Sequence, residues 1–492
     1  MPFWMLLNFI VKGWYLGQSS IQGDEPFSVY HAQMDIFSID RLLSQGNNPP
    51  LFEILLHFWI QVFGISEITV RMPSLIFSTI AVGFLYQIGN QFFNRRVAVL
   101  VSLFFVFSNF QISLSHEARV YQLLCMLTAW SMWLFMGVLQ LTQRASNNGE
   151  DFLRSALRNK FIGLVFVNSL IIYSHYFGFF VLFVQFFFLI FHRPIFKKVQ
   201  YLYWLSIAAT AFIYVPNVLT VFQRFSASSK GTWISKPSGI EDAYNMIRTF
   251  SNAPLNAVLV IVVFVLFGLK RASKQFEKAA ETQLYQRFVA FWFLFVFGFM
   301  FLVSFWIPMF YNRYLMVAAT GFVLFVAVAA DFAFSHHKKH YLLPILLSGC
   351  WIFTANLKDS NKVNVQQMVA DLKKNQTEKT IVYFAPDWFD INFTLYYHFP
   401  TFQRYDKSDI KKNMHSFLRS SHVYPIKNQN DLNSHAIANA EKVIFLDAQS
   451  DYHYPGNSIK RALDSMLQQT KEIDYSEGYK LYIYRPKKSV NE

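Results

Sequence analysis

Five short stretches hold the residues this sequence could use for chemistry. Gly23-Asp24-Glu25-Pro26 sets two carboxylates side by side. Such a pair can supply a general base or hold a cation, and it can equally cap a helix that Pro26 opens. Ser113-Leu-Ser-His116-Glu117-Ala-Arg119-Val-Tyr121 gathers an imidazole, a carboxylate and a guanidinium within one turn of chain. Charges at the mouth of an apolar segment are costly and face a cavity or a partner. A Glu117–Arg119 pair that simply closes a helix end is the plainer alternative. Ile172-Tyr-Ser-His175-Tyr-Phe-Gly178 offers one histidine among aromatics, which suits an interfacial belt as well as a binding site. Pro308-Met-Phe-Tyr-Asn-Arg313-Tyr314 places a guanidinium at another segment mouth. Gln45-Gly-Asn-Asn48-Pro-Pro-Leu51 makes a rigid turn before the amphipathic run 52–63, which suits a helix at the membrane interface.

The elements that must position these residues are mostly apolar. Of 492 residues, 53% are hydrophobic, 19% aromatic and only 15% charged. Soluble domains carry about 25% charged residues, and disordered chains lack aromatics, so both classes are excluded for most of the chain. Charge is also uneven: 39 of residues 1–357 are charged, against 35 of residues 358–492. Spans of roughly 20 apolar residues cross a bilayer. Candidates lie near 2–17, 70–93, 97–114, 119–141, 161–174, 177–191, 201–222, 255–270, 288–307, 314–334 and 341–357. The expectation is a polytopic α-helical membrane protein of about eleven transmembrane helices, domain 1–357, in which 18–69 is the first outer loop. The first span is short and contains Lys12. With no basic stretch before it and no small-residue cleavage site after it, it reads as an anchor rather than a signal peptide.

Alternate loops fix the orientation. Arg95 and Arg96, residues 144–160, 193–198 and 270–287, and Lys338 with Lys339 form a basic set, while the intervening loops hold only scattered cations such as Arg41, Arg224, Lys230, Lys236 and Arg248. The positive-inside rule puts the first set in the cytoplasm, with the N-terminus, and leaves 358–492 outside. All five stretches then share the outer side. The net charge of +14 follows from this loop bias and gives no reason to expect nucleic acid as a partner. Cys125 and Cys350 fall inside apolar runs and suggest neither a disulfide nor a metal site. Residues 358–492 read as a small α/β domain, with strands at Thr380–Phe384, Lys442–Leu446 and Tyr479–Tyr484 and a helix at Ser458–Lys471.

Ion-coupled transporters keep titratable groups near the midplane and are built on repeats. Here the spans are nearly free of charge, no repeat is visible, and the ionisable groups gather on one face. That pattern favours surface chemistry on a lipid-linked substrate. A transporter or flippase of a lipid-linked solute is the alternative, and a receptor using the outer domain a more distant one.

With these residues the chain resembles the GT-C integral membrane glycosyltransferases, the group of the protein O-mannosyltransferases and the lipid A aminoarabinose transferase. The resemblance rests on Asp24-Glu25 after the first span, Asn48-Pro-Pro-Leu51, Arg71-Met-Pro-Ser74, Ser115-His-Glu-Ala-Arg-Val-Tyr121, Tyr173-Ser-His-Tyr176 and Asn312-Arg-Tyr-Leu315, in that order. It implies an inverting transfer of a hexose or pentose from a polyprenyl-phosphate donor to a hydroxyl of a protein, lipid or glycan. It makes Asp24 the catalytic carboxylate, with Glu25 beside it. Asn48, His116, Glu117, Arg119, Tyr121, His175, Arg313 and Tyr314 become the substrate-binding residues, with Arg313 meeting the donor phosphate. Relatives often carry His or an acid where Asn48 stands, so a divalent cation, held by Asp24 and Glu117 if by any residues, is left open. The expected location is a bacterial inner membrane with the C-terminal domain in the periplasm.

Overall fold

A computed structural model describes residues 1–43, 48–144, 150–229, 233–273, 280–334, 341–358, 363–403, 411–454, 456–475 and 477–487. Gln45, Gly46 and Asn47 of the proline turn, and Lys230, Lys274, Lys278, Lys338 and Lys339 of the charged loops, lie outside the described residues. The chain forms two compact units. One comprises Met1–Leu16, Asp40–Leu55 and Arg71–Lys358; the other comprises Gly17–Ile39, Leu56–Val70 and Asp359–Glu492. The loop bearing Asp24 and Glu25 therefore groups with the C-terminal residues, whereas the sequence reading placed 18–69 with the spans.

Every one of the eleven apolar stretches is helical, but they are not alike. Among the described residues seven helices are long and apolar enough to cross a membrane: Glu67–Phe92, Tyr121–Arg144, Arg154–Ser174, Arg193–Gln223, Pro254–Ala272, Glu281–Val303 and Asn312–Ala333. The pair Arg95–Val106 and Asn109–Ser115 makes an eighth if counted as one span bent by 58°. Pro2–Gly13, Phe179–Phe191 and Leu342–Phe353 have only 12, 13 and 12 residues, short of the roughly 20 that a full crossing takes.

Asn312–Ala333 is buried along its whole apolar length. Small side chains there admit close neighbours: a Cβ on Gly321 would sit 3.0 Å from the Trp292 ring, whose indole N–H donates to the Val317 carbonyl at 2.9 Å. Three helices, two of them spans, are joined by a closed polar ring. Ser131 donates to Asn168 at 2.6 Å, Asn168 to Gln185 at 3.1 Å and Gln185 back to Ser131 at 2.7 Å, the interhelical bonding that replaces the hydrophobic drive in lipid. The fully buried Lys12 ammonium donates to Ser78 at 2.9 Å and lies 3.9 Å from the centre of the Phe105 ring.

The bent helix has a side-chain cause. A break in a helix strands carbonyls and amides that must be satisfied elsewhere. The Asn252 amide spans the break, donating to the Phe107 carbonyl at 2.7 Å and accepting from the Asn109 N–H at 2.7 Å. Trp351 donates to the Phe104 carbonyl at 3.0 Å. Asn109 donates to the Thr354 carbonyl at 3.0 Å and accepts from the Asn356 N–H at 2.6 Å. The second arm leads directly into Ser115-His116-Glu117.

In the other unit five strands form one sheet: β1 Thr380–Ala385, β2 Val423–Pro425, β3 Lys442–Ala448, β4 Leu467–Asp474 and β5 Tyr479–Pro486. Their order is β2-β1-β3-β5-β4, with β1 parallel to both β2 and β3, and β5 antiparallel to β3 and β4. The strands expected at 380–384, 442–446 and 479–484 are present. The helix expected over Ser458–Lys471 stops at Met466, and 467–471 turns instead into the edge strand, with a bulge between Gln469 and Lys471. Leu463 and Leu467 continue a helical spacing, but Leu467 is spent on the sheet core.

Candidate functional site

The carboxylate pair is built by a tight turn. Gly23 has φ of 61°, a left-handed geometry that costs glycine nothing. Helix Glu25–Ala32 begins next, with Asp24 at its N-cap position and Pro26 in its first turn. Capping would consume the Asp24 side chain, yet its carboxylate makes no bond to the first-turn amides, and the residue is exposed. Glu25 differs: it is 2% exposed, and its Oε2 accepts from the Gln22 N–H at 3.2 Å. Two adjacent acids thus have two environments. One is presented to solvent and one is folded into its own turn.

The helical unit assembles the remaining stretches. His116 ends helix Asn109–Ser115, and its Nε2 hydrogen-bonds the Lys12 carbonyl at 2.6 Å. The Ser74 hydroxyl donates to the carbonyls of Glu117, at 2.7 Å, and Arg119, at 3.4 Å. Arg71, fully buried, donates to the Leu16 carbonyl at 3.0 Å. The Arg71–Ser74 and Ser115–Tyr121 motifs are thereby parts of one contact. Glu117 is half-buried and Arg119 is buried.

Aromatic contacts carry the group onward. Tyr121 and His175 have ring centroids 6.0 Å apart, and His175 and Tyr314 5.9 Å. The Arg313 guanidinium lies 5.8 Å from the Tyr121 ring centre and 5.3 Å from that of Tyr311, within cation–π range. Three segments far apart in sequence therefore bring Arg119, Tyr121, His175, Arg313 and Tyr314 together.

The chemistry of His175 is set by this company. Burial, and then the positive charge of Arg119, push its pKa down to about 3. Its Nδ1 accepts from the Phe177 N–H at 3.1 Å, so the proton sits on Nε2 and that edge is a donor. The group thus combines two guanidinium ions, a neutral imidazole N–H and phenol hydroxyls. All of these can donate to an anion, and phosphate, like carboxylate, is an anion that a planar guanidinium meets with two parallel bonds.

Asn48 is half-buried in the Asn48-Pro49-Pro50 turn that opens helix Leu51–Phe63. Asp24 and Glu25 belong to the other unit. Among the described residues no three or more His, Cys, Asp or Glu side chains are grouped as metal ligands. Ser74, Tyr311 and Phe177 complete the group and were not singled out from sequence. Ser74 stood in a quoted motif, and Tyr311 directly precedes Asn312-Arg313, but neither residue type signals a site by itself.

Residues 47–219 match the family model described as Dolichyl-phosphate-mannose-protein mannosyltransferase. That range contains the Arg71–Ser74, His116–Tyr121 and Tyr173–Tyr176 motifs and excludes Asp24, Glu25 and Arg313. Comparison with curated proteins by sequence gives no match. Among solved structures, ArnT from Cupriavidus metallidurans in the apo state aligns over 98% of this chain and 97% of its own, at 10% identity and a TM-score of 0.59. The same protein bound to undecaprenyl phosphate aligns over 99% and 98%, at 10% identity and 0.58. The Archaeoglobus fulgidus oligosaccharyltransferase in the apo form aligns over 99% and 74%, at 10% identity and 0.54. The resemblance read from the motifs and the architecture found in the structure agree: this chain has the fold of the GT-C membrane glycosyltransferases.

Proposed function

We propose that this protein is a membrane glycosyltransferase that moves a sugar from a polyprenyl-phosphate donor to an acceptor hydroxyl, with inversion. The observation that supports it most is the grouping of Arg119, Tyr121, His175, Arg313 and Tyr314, a set of donors suited to the phosphate of a lipid carrier. One of the structures sharing this fold is bound to undecaprenyl phosphate, which supports the same donor class. The spans hold the lipid tail and so supply proximity.

In this reading Asp24 is the general base. The acceptor oxygen attacks C1 of the sugar from the face opposite the phosphate, its proton passes to the Asp24 carboxylate, and the C1–O bond to phosphate breaks. The departing lipid phosphate gains negative charge. Arg119 and Arg313 are fixed cations for that charge, and the His175 Nε2–H is a neutral donor beside them. Glu25 shapes the turn that presents Asp24. The charge asymmetry of the loops supports an extracytoplasmic site.

The test is release of lipid phosphate. Purified protein in lipid is given a panel of polyprenyl-phosphate sugars with peptide, lipid and glycan acceptors. Release should occur with at least one donor and vanish in Asp24→Asn. Release from no donor, or undiminished release in the variant, would sink the reading.

A further inference from the structure

The residues just before Asp24 are gripped by side chains from the far end of the chain. Ser20 donates to the Asn364 side chain at 3.0 Å and accepts from the Gln366 N–H at 3.2 Å. The Ile21 N–H donates to the Tyr396 hydroxyl oxygen at 2.6 Å, and the same hydroxyl donates to the Glu67 carboxylate at 3.1 Å. The Asn392 amide donates to the Gly23 carbonyl at 3.2 Å. Ser20 and Ile21 are buried. At Gly17 a Cβ would come within 2.5 Å of the Ile68 side chain, so the start of the loop also has one course open to it. All these residues belong to a single compact unit.

Asn392 and Tyr396 stand four residues apart on helix Asp390–Tyr397, a spacing that puts both on one helix face. The N-terminal end of that helix is itself tied down. The buried Asp390 carboxylate accepts from Lys411 Nζ at 2.8–2.9 Å and from His415 Nε2 at 2.7 Å. A helix fixed at its end and presenting two polar side chains to a loop is a clamp. The last bond it makes is to the residue immediately before Asp24. The carboxylate is left exposed while the backbone carrying it is held.

We propose that Tyr396 and Asn392 are positioning residues for Asp24, so that the C-terminal domain sets the geometry of the catalytic loop. This rests on the reading of Asp24 as the base. A general base acts only within hydrogen-bond reach of the proton it takes, and a misplacement of about 1 Å can cost on the order of 100-fold in rate. Tyr396→Phe removes the acceptor of the Ile21 N–H and the donor to Glu67 together. Asn392→Ala removes the bond to Gly23.

The experiment compares the full-length protein in lipid with Tyr396→Phe, Asn392→Ala and Tyr397→Phe. Tyr397 is on the same helix, but its hydroxyl donates to Gln376 at 3.0 Å and not to the loop. The first two variants should lose about 10- to 100-fold in kcat, with donor KM within about twofold. Tyr397→Phe should match the wild type. Hydrogen exchange at residues 17–25 should quicken at least about tenfold in Tyr396→Phe and stay unchanged in Tyr397→Phe, because the lost bond is what closes the Ile21 amide. The proposal is overturned if Tyr396→Phe keeps its kcat, if its loop exchanges like the wild type, or if both tyrosine variants lose kcat alike. Wild-type protein inactive with every donor would instead strike the glycosyltransferase reading. The exchange result separates the two, because it reads the clamp without substrate.

Discussion

The Arg313 guanidinium carbon lies 5.8 Å from the centroid of the Tyr121 ring. That distance is within cation–π range, and a planar guanidinium can meet a phosphate by two parallel bonds. Arg313→Ala should therefore lower kcat/KM for the donor by about 10- to 150-fold, the value of a charge-assisted bond of roughly 1.5–3 kcal/mol. Arg313→Lys keeps the charge without the fork and should fall between. Tyr121→Phe keeps the ring beside Arg313 but removes the hydroxyl donor and should fall below the wild type, and Tyr121→Leu, which removes both, should fall further. Equal, wild-type kinetics in both arginine variants would show that Arg313 merely extends to lipid headgroups.

Asp24 and Glu25 should separate under mutation. Asp24→Asn should abolish turnover while donor affinity is kept, since in the proposed reading the carboxylate acts on the acceptor. Glu25→Gln preserves an acceptor for the Gln22 N–H and should keep most of the activity. Glu25→Ala leaves that amide without its acceptor and should cost about 1–3 kcal/mol of local stability. Donor binding and single-turnover rates, measured for all three, check the assignment. Wild-type turnover in Asp24→Asn would move the base elsewhere.

His175 gives a pH signature. Its pKa is pushed down from 6.5 to about 3, so between those values the unfolded chain binds a proton that the folded chain refuses. Stability is then fully present above about 6.5 and declines as pH falls toward 3. In His175→Gln this contribution disappears. Thermal unfolding midpoints followed over about pH 4 to 7 should drop more steeply for the wild type than for the variant. Parallel profiles would contradict the neutral, buried imidazole.

The loop charges carry a prediction about sidedness. A reporter active only in the cytoplasm, fused after Glu492, should stay silent, and one active only outside should respond. The opposite pattern would reverse the topology and move Arg313 and Asp24 to the other face.

The helices were legible because lipid demands long apolar runs, and each of the eleven stretches is helical. Their lengths were less so: the bend at Phe107 depends on Asn252, about 145 residues away, and nothing local marks it beyond Ser108 and Asn109. The helix drawn through Ser458–Lys471 overran because Leu463 and Leu467 fit a helical period, while Gln468-Gln-Thr-Lys-Glu472 is too polar for an edge strand to announce itself by alternation. Arg119, His175 and Arg313 could be collected from sequence because charge and imidazole are rare at segment mouths. Tyr396 and Asn392 could not. They sit in a soluble domain where such residues are ordinary, and only the fold brings them to the loop.

The clamp on the Asp24 loop also orders events during biogenesis. Its four bonds join residues 344, 346, 375 and 369 positions apart. A ribosome adding roughly 5–20 residues per second releases Ser20 and Gly23 many seconds before Asn364, Asn392 and Tyr396 exist. Over that interval the spans can insert one after another while the N-terminal carboxylate has nothing to hold it. On the proposed reading of Asp24 as the base, turnover would wait until the C-terminal residues that hold its loop have been made and folded. A chain cut short after residue 358 would carry Arg119, His175 and Arg313 but none of Asn364, Asn392 and Tyr396, which hold the loop.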